Sequence, residues 1–128
     1  MSNNIDWTTM PFNYSTSEIN TGYKWVDGST IYKKTVTQNG GPSSGETLLS
    51  LGVKINNLVN IYGSLNADSV NVFFPIPYVR RDPSSSPSDQ IGLRVINQNN
   101  ISYVRLEVGS GNFAFADAFV AVTVFYTK

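Results

Sequence analysis

Apolar and polar residues alternate along most of this chain with the two-residue period of β-strands, and no segment shows a convincing helical period. The clearest signal lies in residues 22–37, where Asp27-Gly28 stands between two runs rich in aromatic and β-branched residues. Asp-Gly is a strong hairpin dipeptide, so this segment predicts two antiparallel strands joined by a tight turn. Trp25, just before the turn, is expected to anchor the core.

The rest of the chain divides into strands and loops in the same way. Pro75 and Pro77 lack a backbone N–H, so a strand that contains them must end at a sheet edge or leave its sheet. The final strand is apolar on both faces, which is typical of a central strand or one covered on both sides. The stretch 46–59 is ambiguous, because it could hold a short strand, a helical turn or both. Strands are predicted at 58–65, 70–79, 91–97, 101–108 and 118–128, and turns or polar loops at 38–45, 66–69, 80–90, 98–100 and 109–117.

These strands predict an all-β protein, an antiparallel β-sandwich that is jelly-roll-like, over residues 21–128. Residues 1–20 precede it as an irregular N-terminal arm. The arm carries more apolar area than a free tail usually does, in Trp7, Met10, Phe12 and Tyr14. We expect it to pack either on its own domain or on a neighbouring subunit, and both alternatives remain open.

The composition argues against several functions. Nine basic and nine acidic residues cancel, which argues against nucleic acid as a partner and against a polybasic membrane patch. Only 14% of the residues are charged, and such a near-neutral surface often accompanies self-association. Cysteine and histidine are absent, which removes disulfides, thiolate nucleophiles, histidine bases and the usual zinc ligands. No membrane insertion and no cofactor are expected, although an oxygen-only calcium site stays possible.

The candidate contact residues for a ligand or partner are scattered along the chain. Tyr23, Tyr103 and Phe113 are the aromatic residues expected to be exposed, where such rings can stack on sugars. Arg80 and Arg81 open a polar loop and could contact anionic sugars or the carboxylates of a partner. No catalytic residues are predicted, because a glycosidase needs two facing carboxylates and most acids here adjoin turn residues. We therefore expect the protein not to be an enzyme.

Three charged residues predict a different kind of contact. Arg94 and Arg105 fall on the two facing strands of a predicted hairpin, and Glu107 shares a strand face with Arg105. Opposite charges on neighbouring strands stabilise a sheet. A cross-strand ion pair or a subunit contact is therefore expected here rather than a ligand site.

Four segments, taken in order, resemble a single protein family. The first is similar to the Trp-x-Asp-Gly-(Lys)-(Pro)-Ile-Tyr-(Arg/Lys)-Lys-Thr hairpin of bacteriophage minor structural proteins, which include tail-fibre, baseplate and head-fibre proteins. The others resemble the Leu/Ile-Pro-Tyr element, the Asn-x-Ile-x-Ile/Val hairpin and the Tyr-Thr-Lys strand of the same domain. The chain departs from that pattern at Ser29-Thr30 and at the insertion Arg80-Arg81-Asp82. The four segments are WVDGSTIYKKTV (25–36), FFPIPYV (73–79), IGLRVINQNNISYVRLE (91–107) and VAVTVFYTK (120–128).

The resemblance implies a structural module of the virion with a jelly-roll-like β-sandwich, commonly trimeric, at a fibre or baseplate tip or as a decoration. Its partners would be two further copies, other virion proteins and, in a host-attachment role, a bacterial surface polysaccharide. The family brings no catalytic residues, and its matching residues look like fold determinants. The alternative hypotheses are a stand-alone carbohydrate-binding module and, third, a polysaccharide hydrolase.

Overall fold

The computed structural model describes residues 15–40, 45–67, 72–81, 87–108 and 118–128. Their strands form two antiparallel sheets: sheet A has the order β1-β2-β9-β4-β5 and sheet B the order β3-β8-β7-β6. The sheets pack face to face, which confirms the all-β sandwich; the jelly-roll part of the prediction is not confirmed. The strands are β1 (Ile19–Lys24), β2 (Thr30–Asn39), β3 (Gly45–Ser50), β4 (Asn57–Ala67), β5 (Val72–Ile76), β6 (Tyr78–Arg81), β7 (Pro87–Gln98), β8 (Ile101–Val108) and β9 (Phe119–Thr127).

The predicted hairpin joins β1 and β2. The backbone N–H of Ser29 donates to Asp27 Oδ1 at 2.9 Å, and Gly28 adopts a left-handed φ of 87°, which costs glycine little. The turn projects beyond the packed sheets, since Val26 is 89% exposed. Trp25 is half-buried and lies outside the core cluster, so the prediction that it anchors the core is wrong.

Strand β9 is the central strand of sheet A, as its two apolar faces predict. It pairs with β2 on one side and β4 on the other, so that Val122 lies opposite both Val36 and Gly63. Its inward residues are fully buried and meet side chains of both sheets. The core includes Leu51, Leu65, Ile76, Ile91, Val104, Leu106, Val120, Val122, Val124 and Tyr126.

The predicted strand 70–79 divides at Pro77 into two edge strands. Before this proline, β5 forms an edge of sheet A; after it, β6 forms an edge of sheet B. Pro75 lies in β5, and an edge strand is where a residue without an N–H is tolerated. The expectation that this segment lies at a sheet edge or leaves its sheet is therefore confirmed, since it does both.

The prediction of a polar loop over 80–90 is wrong at both of its ends. Arg80 and Arg81 belong to β6, and β7 begins at Pro87. The backbone of Arg80 pairs with that of Asp89. Pairing with the long strand β7 overrides the turn propensity of the serines, prolines and aspartates there. The ambiguous stretch 46–59 starts in strand β3, passes through irregular backbone and enters β4.

Residues at the end of the predicted arm belong to sheet A. Ile19 and Asn20 lie in β1, and the carbonyl of Ser15 accepts a 2.7 Å hydrogen bond from the N–H of Thr35 in β2. Residues 1–14 lie outside the described residues. The position of the arm, on its own domain or on a neighbour, stays a prediction.

Candidate functional site

The outer face of sheet A carries a group of aromatic side chains that we call the aromatic face. Side chains alternate between the two sides of a strand, so the buried residues of β9 place Phe119 and Phe125 outward. Register places Tyr62 beside Thr123 of β9 on this side. The aromatic face consists of Tyr62, Phe73, Phe119 and Phe125, with Asn60, Ser64, Asn66, Pro75, Ala121 and Thr123 between or beside them.

The rings of the aromatic face form two pairs. The centroids of Tyr62 and Phe125 are 6.2 Å apart with planes tilted by 39°. At the other end, Asn66 lies opposite both Phe73 and Phe119, so these two rings flank it. Residues 62 and 66 of β4 are separated by about 13 Å at the usual strand rise. Phe73 is 64%, Tyr62 40% and Phe119 37% exposed, so both pairs are accessible in a single copy.

The aromatic face has no charged residue at its described positions. Between the rings lie amides, hydroxyls and small apolar groups. Lys33 of β2, which lies opposite Phe125, is 1% exposed, so its charge is not displayed on the surface. A neutral surface with several exposed rings suits an apolar protein partner or a neutral ligand with both apolar and hydroxyl groups.

The outer face of sheet B is charged instead. Arg94 Nη2 lies 2.8 Å from Glu107 Oε1, and Arg105 bridges Glu107, with Nε at 2.9 Å, and Glu46 on β3. The Arg105 Nε contact is an ion pair without hydrogen-bond geometry. The predicted cross-strand ion pair is confirmed. Because these side chains are 27–57% exposed, the network contributes little to stability and keeps this face solvated.

The predicted contact residues that the structure describes do not converge on one site. Tyr23 is 66% exposed on β1, an edge strand of sheet A. Arg80 and Arg81 lie in β6, at the opposite edge of sheet B. Tyr103 is half-buried on β8, and Phe113 lies outside the described residues. Tyr23, Tyr103 and the Arg80-Arg81 pair therefore do not form a single site.

Sequence reasoning missed most of the aromatic face. The alternation in β9 did separate Phe119 and Phe125 from the core residues of that strand. Tyr62 and Phe73 lie in predicted strands, but nothing local tells which side of a strand faces water. Their grouping with the β9 rings depends on β4 lying between β5 and β9.

A groove of about 330 Å³ opens between β2 and β3. Its walls mix apolar side chains with hydroxyls. The Nζ of Lys34 donates to the carbonyl of Leu51 at 2.8 Å, so this charge is already held by the chain. The groove is lined by Thr16, Lys34, Thr35, Val36, Thr37, Leu48, Leu49 and Ser50.

Glu18 links the segment before β1 to the end of β9 through two side-chain hydrogen bonds. Its Oε1 accepts a 2.6 Å hydrogen bond from the buried hydroxyl of Tyr126, and its Oε2 accepts one of 2.6 Å from Lys128 Nζ. The Lys128 ammonium also lies 4.4 Å from the ring centroid of Tyr32, which stacks on Tyr126 with centroids 6.3 Å apart. We call these four residues the Glu18 cluster.

The Glu18 cluster shifts the ionisation of its members. Burial acts to raise the pKa of Glu18, but the hydrogen bonds from Lys128 and Tyr126 and the charges of Lys128 and Lys34 bring it below the usual value. Burial, and then the hydrogen bond to Glu18, raises the pKa of Tyr126. The hydrogen bond to Glu18 raises the pKa of Lys128 against a smaller desolvation effect. At neutral pH the cluster is therefore a carboxylate held by a neutral phenol and an ammonium.

Other kinds of site have no support in the described part of the chain. Its residues include no group of three or more acidic side chains placed to hold a metal ion. Within the same residues, no helix is long and apolar enough to cross a membrane. Comparisons with protein-family models, with curated proteins and with solved structures give no match.

Proposed function

We propose that this protein is a non-enzymatic structural module of a bacteriophage virion that self-associates, as a homotrimer, and serves in assembly or in attachment to a host surface glycan. The observation that carries the proposal is the aromatic face, which is neutral and exposes three rings in a single copy. The ordered resemblance of four segments to phage minor structural proteins supports the virion assignment.

Covering the aromatic face gives self-association its driving force. Burying the exposed part of a large ring contributes about 2 kcal/mol. Three such rings contribute on the order of 6 kcal/mol. This offsets a substantial part of the translational and rotational free energy that is lost on association. In a ring of three copies each subunit uses two different surfaces, so the aromatic face of one copy would lie on another surface of the next. Obligate interfaces are usually apolar in this way.

The oligomeric state tests this proposal directly. Sedimentation velocity at micromolar concentration should give three times the 14.1 kDa chain mass. The double variant Phe73→Ser/Phe119→Ser, at two exposed positions, should dissociate at concentrations where the wild type remains assembled. Val26→Ser is the matched control, because it removes an exposed apolar side chain from the hairpin turn. A wild-type protein that stays monomeric throughout contradicts the proposal.

Its place in a virion has a separate test. In a lysate of the producing cells, the protein should co-sediment with tailed particles through a density gradient and be labelled on them by a specific antibody. Recovery of all the protein in the soluble fraction, away from particles, contradicts a virion role.

A stand-alone carbohydrate-binding module is the second candidate. The favouring observation is that the hydroxyl of Ser64 lies between the two ring pairs and the amide of Asn66 between the rings of one pair. This arrangement suits a neutral polysaccharide that stacks and hydrogen-bonds. In this case a monomer should bind neutral bacterial polysaccharides in a glycan array. Tyr62→Ala should abolish that binding, whereas Tyr23→Ala should not.

A further inference from the structure

The two sheets end in four edge strands, and three of these are protected against pairing with another strand. The pairing of β1 with β2 is interrupted by a register shift between Asn20 and Lys24. Strand β5 contains Pro75, and β6 has only four residues, with a register shift between Arg80 and Arg81. Bulges, prolines and short length are the usual devices that prevent edge-to-edge association.

Strand β3 has none of these devices. Its six residues, Gly45–Ser50, pair with β8 without a register shift and include no proline. Its one charge, on Glu46, is paired with Arg105. The other side of β3 faces the groove between β2 and β3. A strand whose outer edge is unpaired within the described residues is a template for strand addition.

Sheet B is also one strand shorter than sheet A. Within the residues that the structure describes, sheet A has five strands and sheet B has four. Strand β3 contacts β2 across the sandwich, so within the described residues no strand of sheet B lies opposite β1. A strand added beside β3 would occupy this place and give two sheets of five.

We propose that β3 accepts an extended strand from a neighbouring copy of this chain as the fifth strand of sheet B. This inference rests on the self-association proposed above. The groove offers apolar contacts from Val36 and Leu49, hydroxyls from Thr37 and Ser50, and no free charge from Lys34, which is bound to the Leu51 carbonyl. It therefore suits an uncharged strand, and the chain is itself rich in such segments and has zero net charge.

Hydrogen exchange on the full chain tests the strand addition. Amides of β3 should exchange at least about tenfold more slowly in the assembled protein than in the dilute monomer. Leu48→Lys places a charge at a position that is 36% exposed, a substitution that natural edges use, and should weaken association by about tenfold or more. Leu58→Lys, at a 41% exposed position of β4 away from the groove, is the control and should leave association unchanged.

The outcomes separate this inference from the proposed function. A monomer at every concentration contradicts self-association itself. An oligomer in which β3 amides exchange as in the monomer, or in which Leu48→Lys assembles normally, overturns only the strand addition. Strong protection of β3 in the dilute monomer shows that a single copy covers its own edge, and this also overturns the inference. If the amides of β3 become protected from exchange only when a different protein is added, a second copy of this chain is excluded as the strand donor.

Discussion

Removing the Glu18 carboxylate should loosen the segment before β1 from the end of β9. In Glu18→Ala, the hydroxyl of Tyr126 loses its acceptor while its side chain remains fully buried. Lys128 loses the partner that holds it against sheet A. The backbone hydrogen bond from Thr35 to Ser15 then remains as the described attachment of this segment next to β2.

The size of the effect follows from these contacts. A buried donor left without an acceptor costs about 1–3 kcal/mol. The ion pair with Lys128, whose side chains are 25% and 36% exposed, adds about 0.2–1 kcal/mol. We therefore expect the free energy of unfolding to fall by about 2–3 kcal/mol. For a domain of this length the melting temperature should fall by roughly 8–12 °C.

Urea denaturation near neutral pH measures this loss. Glu46→Ala is the matched control, because it removes another paired glutamate whose side chain is 48% exposed, and it should change stability by less than about 1 kcal/mol. Tyr126→Phe, alone and combined with Glu18→Ala, completes a double-mutant cycle. The coupling energy between the two residues should be about 1 kcal/mol or more.

The effect should depend on pH with a definite sign. The pKa of Glu18 is lower in the folded protein than in the unfolded chain, so its contribution is complete above the unfolded value. That contribution is lost as the pH falls through the lowered folded value. The difference between wild type and Glu18→Ala should therefore shrink as the pH falls below the usual pKa of a glutamate. Equal stability of the two proteins at neutral pH, or an undiminished difference in acid, would refute this account of the cluster.

Three substitutions test the packing and hydrogen bonding of the sandwich by chemical denaturation. Gly63→Ala should cost about 1–3 kcal/mol, because its Cβ would lie 2.8 Å from the carbonyl oxygen of Ala121. Gly92→Ala, whose nearest contact would be 3.6 Å, should be nearly neutral, and equal effects of both would contradict the steric argument. Ser102→Ala should cost about 1–3 kcal/mol, because the buried N–H of Ile55 donates to Ser102 Oγ; an unchanged midpoint would show that another acceptor replaces it.

Local signals predicted the features that depend on local physics. The Asp27-Gly28 turn requires a positive φ that glycine provides, and Pro75 cannot donate a hydrogen bond to a neighbouring strand. The sequence therefore predicted the turn at the first position and the sheet edge at the second. The two apolar faces of β9 marked it as central. These signals were sufficient for the fold class and for most strands.

The features that were missed depend on partners distant in the chain. Arg80 lies in a strand because β7 pairs with it, although its neighbours favour a loop. Glu18 and Tyr126 are 108 residues apart, and no pattern within either segment indicates their contact. The aromatic face likewise arises from the order of β5, β4 and β9 in sheet A. Sequence reasoning identified strands but not which strands become neighbours.

The central position of β9 has a consequence for biosynthesis. Strands β2 and β4 are both bonded to β9, and the hydroxyls of Thr35 and Thr123 meet across 88 residues at 2.8 Å. Sheet A cannot close until β9 has left the ribosome, so β2 and β4 emerge without their common neighbour. Long-range strand pairing of this kind forms slowly. Until it forms, apolar strands are exposed and can associate with other chains. The edges of β2 and β4 that face β9 in the folded protein therefore stay unpaired until β9 is made.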